Sequence, residues 1–483
     1  MPPSPPPSTT AQVQPAPTKS GMALLSLALA VLLSSLGTSI AHVGLPTLLM
    51  VFKASFAEVQ WVVLAYLLAV TSLIVGAGWL GDRLGRRRLM LAGLALFTLA
   101  SAACAAAPSL GWLIAARAVQ GSAAAVLLAL SMALVGDSVT KARQGSAMGL
   151  LGSVSALGTA LGPSLGGVLI AQLGWPALFL LNLPLGVLAL LLAYQALPPD
   201  PVPAAAPARF DYAGLLWLSA TLAAYALGMS WGGSQFGLCN LALLLLGALG
   251  LLALLRVEAR AAAPLLALDS LREPGLASGL ATSLLVASVL MSTLVVGPFY
   301  LSHTLGLDAG QLGLAMALGP AGAALAGFPA GRLVDRLGAA RLSRLGLLGI
   351  GAGCVLLSLL PSALGLPAYL APLLLITVSY ALFQAANNTR VMAGVSAAQR
   401  GKTAGMLNLA RNLGLISGTA LMGTVFVRAL PGADLASATP TEVAAAMQLS
   451  FVLASVLIAL AWWMDSMGRR QQTRPSARAD ATP

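Results

Sequence analysis

The sequence predicts an all-α membrane protein in which two six-helix bundles flank a two-helix insertion, fourteen transmembrane helices in all. Three observations predict it. The chain of 483 residues is 58% hydrophobic and 8% charged, with a mean hydropathy of +0.90, too apolar for a soluble protein of this length. Apolar runs of about 20 residues, the length that crosses a bilayer's hydrocarbon core, number fourteen. They lie near 22–45, 57–79, 89–107, 110–133, 146–170, 175–195, 213–231, 236–256, 276–300, 309–331, 341–360, 367–391, 402–428 and 446–466. Finally, the chain repeats itself. Gly78, Leu80, Asp82, Arg83, Leu84 and Gly85 return as Gly331, Leu333, Asp335, Arg336, Leu337 and Gly338, 253 residues later. Gly145, Gly149, Gly158, Gly162 and Gly167 return as Gly401, Gly405, Gly414, Gly418 and Gly423, each 256 residues on. Offsets this close mean duplicated halves running in the same direction, one of the known transporter plans.

Charge sets the predicted orientation. Of the 26 Lys and Arg, only Lys53 and Arg428 follow odd-numbered runs, and Arg117 and Arg411 fall inside runs 4 and 13. The other 22 lie at the termini or beside the loops after even-numbered runs. This is the positive-inside pattern, which predicts a multi-pass protein of the cell (inner or plasma) membrane with both termini cytoplasmic. The net charge of +12 is thereby assigned to topology, and no nucleic-acid partner is predicted. Cys104, Cys239 and Cys354 lack metal-ligand spacing and the chain has two histidines, His42 and His303, so no metal site is predicted.

In chain order, residues 1–20 carry seven prolines and are predicted to be a disordered cytoplasmic N-terminus. The first bundle covers 21–195. Run 1 ends in Gly37-Thr38-Ser39-Ile40-Ala41-His42-Val43-Gly44-Leu45-Pro46, where Pro46 should bend or end the helix. The stretch 78–88 packs four arginines and Asp82 between runs 2 and 3. In run 4, Arg117 lies about seven residues deep, where facing lipid would cost at least ~2.5 kcal/mol, so it is expected to face a polar cavity. The alternative is a structural arginine bonded to nearby carbonyls. Run 5 holds Gly158, Gly162, Pro163, Gly166 and Gly167, a smooth face for close helix contact with a proline kink. Residues 196–212 form a proline-rich cytoplasmic linker. Runs 7 and 8 (213–256) have no counterpart in the first half and account for the repeat offset. The second bundle covers 257–467, and 468–483 form a basic cytoplasmic tail.

With these residues in view, the chain resembles the major facilitator superfamily, and within it the fourteen-helix drug:proton antiporters, over about residues 22–467. The stretch 78–88 fits the superfamily's loop pattern between helices 2 and 3. Arg117, Gln120 and Gly121 fit Arg-x-x-Gln-Gly, and 158–167 fits the antiporter pattern Gly-x-x-x-Gly-Pro-x-x-Gly-Gly. Asn182-x-Pro184-x-Gly186 and Phe210-Asp211-Tyr212-x-Gly214 fit as well. The resemblance implies conformational gating by Gly78, Asp82, Arg83, Gly85, Arg86, Asp335 and Arg336, with Asp82 meeting the start of run 13 near Gly401. It implies that Gly158, Gly162 and Pro163 pack run 5 against the second bundle. Candidates for the substrate and proton pathway are His42, Tyr66, Arg117, Gln120, Gln384, Asn388, Asn408, Arg411 and Asn412. The chain departs from the pattern at Gly37, where those relatives usually carry an aspartate, and at His42, where they usually carry asparagine. Every acid sits in a loop or near a run's end, so no buried carboxylate is expected to carry the proton.

The leading expectation is a secondary exporter of small amphipathic compounds, working as a monomer against inward proton flow. Its energy source would be the proton gradient, with no cofactor. A second is an exporter of one metabolite or weak acid on the same fold. A third, a membrane-embedded enzyme, lacks a nucleophile with a nearby base.

Overall fold

The helices of this protein begin and end on local signals. In the computed structural model, which describes residues 17–139, 141–200, 212–230, 237–258, 260, 273–393, 400–431, 435 and 437–472, every regular element is helical. The first half comprises α1 (Pro17–Phe52), α2 (Phe56–Leu84), α3 (Arg86–Ala105), α4 (Leu110–Ser138), α5 (Lys141–Leu173), α6 (Ala177–Leu180) and α7 (Asn182–Ala196). The insertion is α8 (Tyr212–Ser230) and α9 (Leu238–Glu258). The second half comprises α10 (Pro274–Val295), α11 (Gly297–Phe299), a π turn at Tyr300–Thr304, α12 (Ala309–Leu337), α13 (Ala339–Leu359), α14 (Leu366–Met392), α15 (Arg400–Arg428) and α16 (Pro440–Gln472).

The repeat extends to the caps. Ser55 and Glu58 form a capping box that opens α2, and Asp308 and Gln311 form one that opens α12, again 253 residues on. Gly85 (φ 98°) closes α2 and starts α3, and Gly338 (φ 84°) does the same between α12 and α13. Only a residue without Cβ takes such a conformation readily. Prolines act unevenly. Helix α1 runs on through Pro46 to Phe52, whereas run 6 breaks at Leu181 into α6 and α7, just ahead of Pro184, which cannot donate to Leu180.

Among the described residues, twelve helices are long and apolar enough to cross a membrane, two fewer than the runs counted in sequence. Run 7 forms α8, whose apolar stretch is short (Ala213–Met229). Run 13 forms α15, diluted by Arg400, Lys402, Asn408, Arg411 and Asn412. Residues 1–16 and 473–483, and the linker from 201 to 211, lie outside the described residues.

The halves meet at one side. Call the side where α1 begins and α16 ends the termini side, and the side where α2 and α12 begin the far side. A single apolar core joins both halves on the far side, with Leu36, Val43, Phe56 and Val59 against Phe299, Met316 and Phe426. On the termini side, among the described residues, the first half has a cluster of Leu27, Val31, Leu94 and Leu130 and the second one of Leu276, Leu280, Val391 and Met406. Helix α8 lays Leu218 and Leu222 against Leu409 of α15, with Leu68 of α2 alongside, and Thr424 donates to the Met229 carbonyl (2.8 Å).

Candidate functional site

Glycine spacing builds the far-side seal. Positions four apart share a helix face, so Gly158, Gly162 and Gly166 line one face of α5, and this face packs on α1 within the first half. A Cβ would stand 3.0 Å from the Leu32 carbonyl at Gly158, 2.9 Å from the Ile40 nitrogen at Gly162, and 2.7 Å from Val43 at Gly166. The contact between halves lies 100° around the helix. Gly167 faces Ala309 and Gly313 of α12, where its Cβ would be 2.6 Å from the Gly313 Cα, and the Pro163 carbonyl faces Gly313. The expectation that Gly158 and Gly162 contact the second bundle is therefore corrected: Pro163 and Gly167 do, because helical register turns the other three inward.

The second half repeats this packing. Gly414 and Gly418 close α15 onto Ala287, Ser288 and Met291 of α10, as Gly158 and Gly162 close α5 onto α1. Gly423 faces Phe56 and Gln60 of α2, the positions 253 before Ala309 and Gly313. Gln60 donates to the Thr419 carbonyl, and Phe56, Phe299 and Phe426 form a ring cluster with centroids 4.9 to 6.1 Å apart. Two equivalent crossings, α5 on α12 and α15 on α2, close the far side.

Arg117 lies fully buried inside the first half. Its Nε donates to the Val62 carbonyl (2.9 Å), one terminal nitrogen to the Gly37 carbonyl (3.0 Å), and the other to Gln120 Oε1 (2.6 Å). Gln120 donates on to Ser101 (2.7 Å). The guanidinium carbon sits 4.2 Å from the Tyr66 ring centre, and Tyr66 donates to the Ser34 carbonyl (2.7 Å). One arginine thus ties α1, α2 and α4, and through Gln120 also α3. The cavity-facing expectation gives way to the carbonyl-bonded alternative. His42, five residues after Gly37, is fully buried, with Nδ1 3.3 Å from the Ser39 carbonyl and Nε2 without a partner.

The remaining pathway candidates lie in the other half and do not join this cluster. On α14, Gln384 is half-buried and Asn388 exposed; on α15, Asn408 is exposed, and Arg411 and Asn412 are half-buried. The buried Nε of Arg411 has no hydrogen-bond partner.

The gating loop makes contacts within its own half. Asp82 is exposed and pairs with Arg86 (2.9 Å), and Arg83 lies 5.4 Å from the Trp79 ring centre. The side chain environment of Gly401, the expected partner of Asp82, lies outside the described residues. A Cβ on Gly78 would meet nothing within 4 Å, whereas one on Gly85 would strike the Asp200 carboxylate. Asp335 and Arg336 are exposed at the end of α12.

Sequence reasoning missed two acids. Asp200, just past α7, accepts from the backbone N–H groups of Arg87 (2.7 Å) and Arg88 (3.2 Å) and so caps α3. A single acid set among prolines just past the last helix of the first half is the signal that could have found it. Asp465 is fully buried and pairs with Arg390, which also donates to Asn387 (3.1 Å), whose amide donates to the Gly279 carbonyl (3.0 Å). This overturns the expectation that no acid is buried: α16 runs on to Gln472, so Asp465 stands inside the helix. Asp200→Asn should lower stability by about 1.5–3 kcal/mol, the range for hydrogen bonds to a charged group, read as earlier thermal unfolding of the purified protein. An unchanged transition would remove the capping role.

Residues 27–419 match the profile of the Major Facilitator Superfamily. The chain belongs to this superfamily. It is 32% identical to the uncharacterized transporter YebQ of Escherichia coli (strain K12), covering 86% of this chain and 91% of that one. It is 32% identical to the drug efflux pump JefA of Mycobacterium tuberculosis (87% and 83%) and 29% identical to the riboflavin transporter RibZ of Clostridioides difficile (90% and 94%). Among solved structures, a bacterial homolog of the human lysosomal transporter Spinster in an inward-facing, unoccupied conformation matches with a TM-score of 0.70 at 16% identity, covering 94% and 98%. The superfamily fold accounts for the two-half symmetry and the paired far-side crossings.

Proposed function

We propose that this superfamily member is a secondary active exporter of small amphipathic compounds, driven by proton antiport through alternating access. The observation that carries the reading is the seal itself. Gly167 on Gly313 and Gly423 on Gln60 close the far side, while on the termini side, among the described residues, the first half has one cluster and the second another. Loop charges support a cytoplasmic termini side, and on that reading a form with its far side closed is the one that loads an exported compound. Similarity to JefA, named as a drug efflux pump, supports the direction. On this reading all fourteen runs cross a plasma membrane, and α15 is polar because it is enclosed by α2, α8, α10 and α16. Reporter fusions after residues 108, 235 and 365 should read outside, and after 85, 205 and 338 inside; the reverse pattern would overturn the orientation.

A panel of cationic, neutral and anionic amphipathic compounds, assayed for susceptibility and efflux in an efflux-deficient host, tests the function. Reduced accumulation of several unrelated compounds supports multidrug export. Movement of one compound alone supports the second reading, a dedicated metabolite exporter, which the similarity to RibZ favours. Movement of none overturns both.

His42 is the proposed proton carrier. It is fully buried on α1 and its Nε2 is unpartnered, and an imidazole can take up and release a proton. In everted vesicles, His42→Asn should abolish substrate-induced proton release across about pH 5.5–8. Unchanged coupling would remove His42. The next acids near the far side, Glu58 and Asp308, already serve as helix caps.

A further inference from the structure

Resting on the export reading, we propose that Arg411 binds the carboxylate of the exported compound, which is then an amphipathic organic anion. Register on α15 places the arginine. Gly414 and Gly418 face α10, Leu409 and Leu413 meet α8, and Gly423 faces Phe56 and Gln60 of α2. At 100° per residue, Asn408, Arg411, Asn412 and Leu415 occupy the arc between α10 and α2, which points toward the first half. Leu415 belongs to the core shared by both halves. Arg411 lies one turn nearer the termini side, about 6 Å along the helix, where this arc emerges: Arg411 and Asn412 are half-buried and Asn408 is exposed. The guanidinium thus sits just beneath the far-side seal, between the halves.

The repeat shows what is unusual about it. The glycine offset of 256 matches Arg411 to Ser155, and Ser155 shares a hydrogen bond with Ser35 of α1 (2.8 Å). A Cβ on Gly158 would meet the Leu32 carbonyl and Ser35, and one on Gly414 the Leu284 carbonyl and Ala287, so Ala287 stands where Ser35 does. An arginine has replaced the serine, and a methyl group has replaced its partner. Arg117 donates to three acceptors, whereas Arg411 makes no hydrogen bond or ion pair among the described residues and its buried Nε is unpartnered. A cation at membrane depth is costly without an anion, and neither α14 nor α15 carries a carboxylate. Guanidinium forks match carboxylate oxygens in pairs, and amides donate beside them. On α14, Gln384 and Asn388 continue toward the termini side the stripe on which Thr377 packs against α12. In the first half, Leu32, Leu29 and Leu25 continue the stripe of Leu36, from half-buried to 51% exposed. A cationic, amide-rich wall in one half and an apolar one in the other suit a molecule with a carboxylate at one end and hydrocarbon at the other.

The test uses the full-length protein purified in neutral detergent. Octanoate and phenylbutyrate are titrated, each beside its primary amide and the amine of the same skeleton, with thermal unfolding as the readout. Both carboxylates should protect the wild type, and the amides and amines should not. Arg411→Ala should weaken carboxylate binding about 10–150-fold, the scale of a hydrogen bond to a charged group. Arg411→Lys should keep part of it, and Arg411→Glu should transfer the preference to the amines. Without ligand, Arg411→Ala should unfold no earlier than the wild type, since no bond within the protein is lost. Asn408→Asp, which keeps the arginine and sets a carboxylate one turn from it, should also lose carboxylate binding. Protection by neither carboxylate, equal protection by the amides, or undiminished binding in both Arg411→Ala and Asn408→Asp would overturn the proposal. Export is scored separately with the compound panel. Efflux of cationic or neutral compounds that Arg411→Ala leaves unchanged would overturn this site and keep the export reading. Carboxylate binding through Arg411 with no compound moved would overturn the export reading and keep the site.

Discussion

Gly167→Leu is expected to abolish net export while the protein remains folded. Gly167 meets Gly313 nearly backbone to backbone, and a Cβ there would stand 2.6 Å from the Gly313 Cα. Neither partner is a flexible side chain, so α5 and α12 must separate. Overpacking costs about 1–3 kcal/mol, enough to shift a two-state equilibrium about 5–150-fold. The cost falls only on the state in which the far side is closed, because the two helices part in the other. Gly313→Leu should behave alike from the other side of the crossing. Gly162→Leu provides the contrast. Its neighbours, Ser39 and Ile40, belong to α1 of the same half, so it should lose transport by destabilising the first bundle in both states. The check is thermal unfolding in detergent beside efflux in vesicles. Gly167→Leu should unfold near the wild-type temperature, and Gly162→Leu well below it. Normal pumping by Gly167→Leu would mean that the α5–α12 crossing does not seal the path.

The second large effect is expected at Arg117. Arg117→Ala removes three charge-assisted hydrogen bonds and the stack on Tyr66, and leaves Gln120 Oε1 without its donor. Truncating a large buried side chain costs about 3–5 kcal/mol, so expression and thermal stability should both fall. Arg117→Lys keeps the charge but replaces a planar fork by a point donor, which cannot serve Val62, Gly37 and Gln120 together. It should be intermediate. A transport residue with no structural part would behave otherwise: Arg117→Ala would unfold with the wild type and lose only coupling. That result would restore the pathway role expected from the sequence.

How much was legible depends on what register can encode. The two repeat offsets are periodic, and they appear in the structure where the residues place them, down to the caps at Ser55 and Asp308 and the positive-φ glycines Gly85 and Gly338, which share the 253-residue offset. Run counting was less exact. Run 13 counts as a span by length, yet α15 is not among the twelve helices that are apolar enough in the described residues, because Arg400, Lys402, Asn408, Arg411 and Asn412 dilute it. The candidate path was legible only as a set of polar residues. The structure divides it into a buried cluster around Arg117 and His42 and a separate group on α14 and α15.

By itself the sequence determined an all-helical chain of two parallel halves, the insertion between them, and which residues share a helix face. Tertiary structure alone decided what covers each face. Gly158, Gly162 and Gly166 turn to α1, while Gly167, a single residue further on, turns to α12 of the other half. Arg117 meets carbonyls rather than a cavity, and Asp465 meets Arg390 from 75 residues away. The reason is physical. A 3.6-residue period fixes the angle at which a side chain leaves its own helix, and nothing in that angle specifies which helix, packed from hundreds of residues away, will stand opposite.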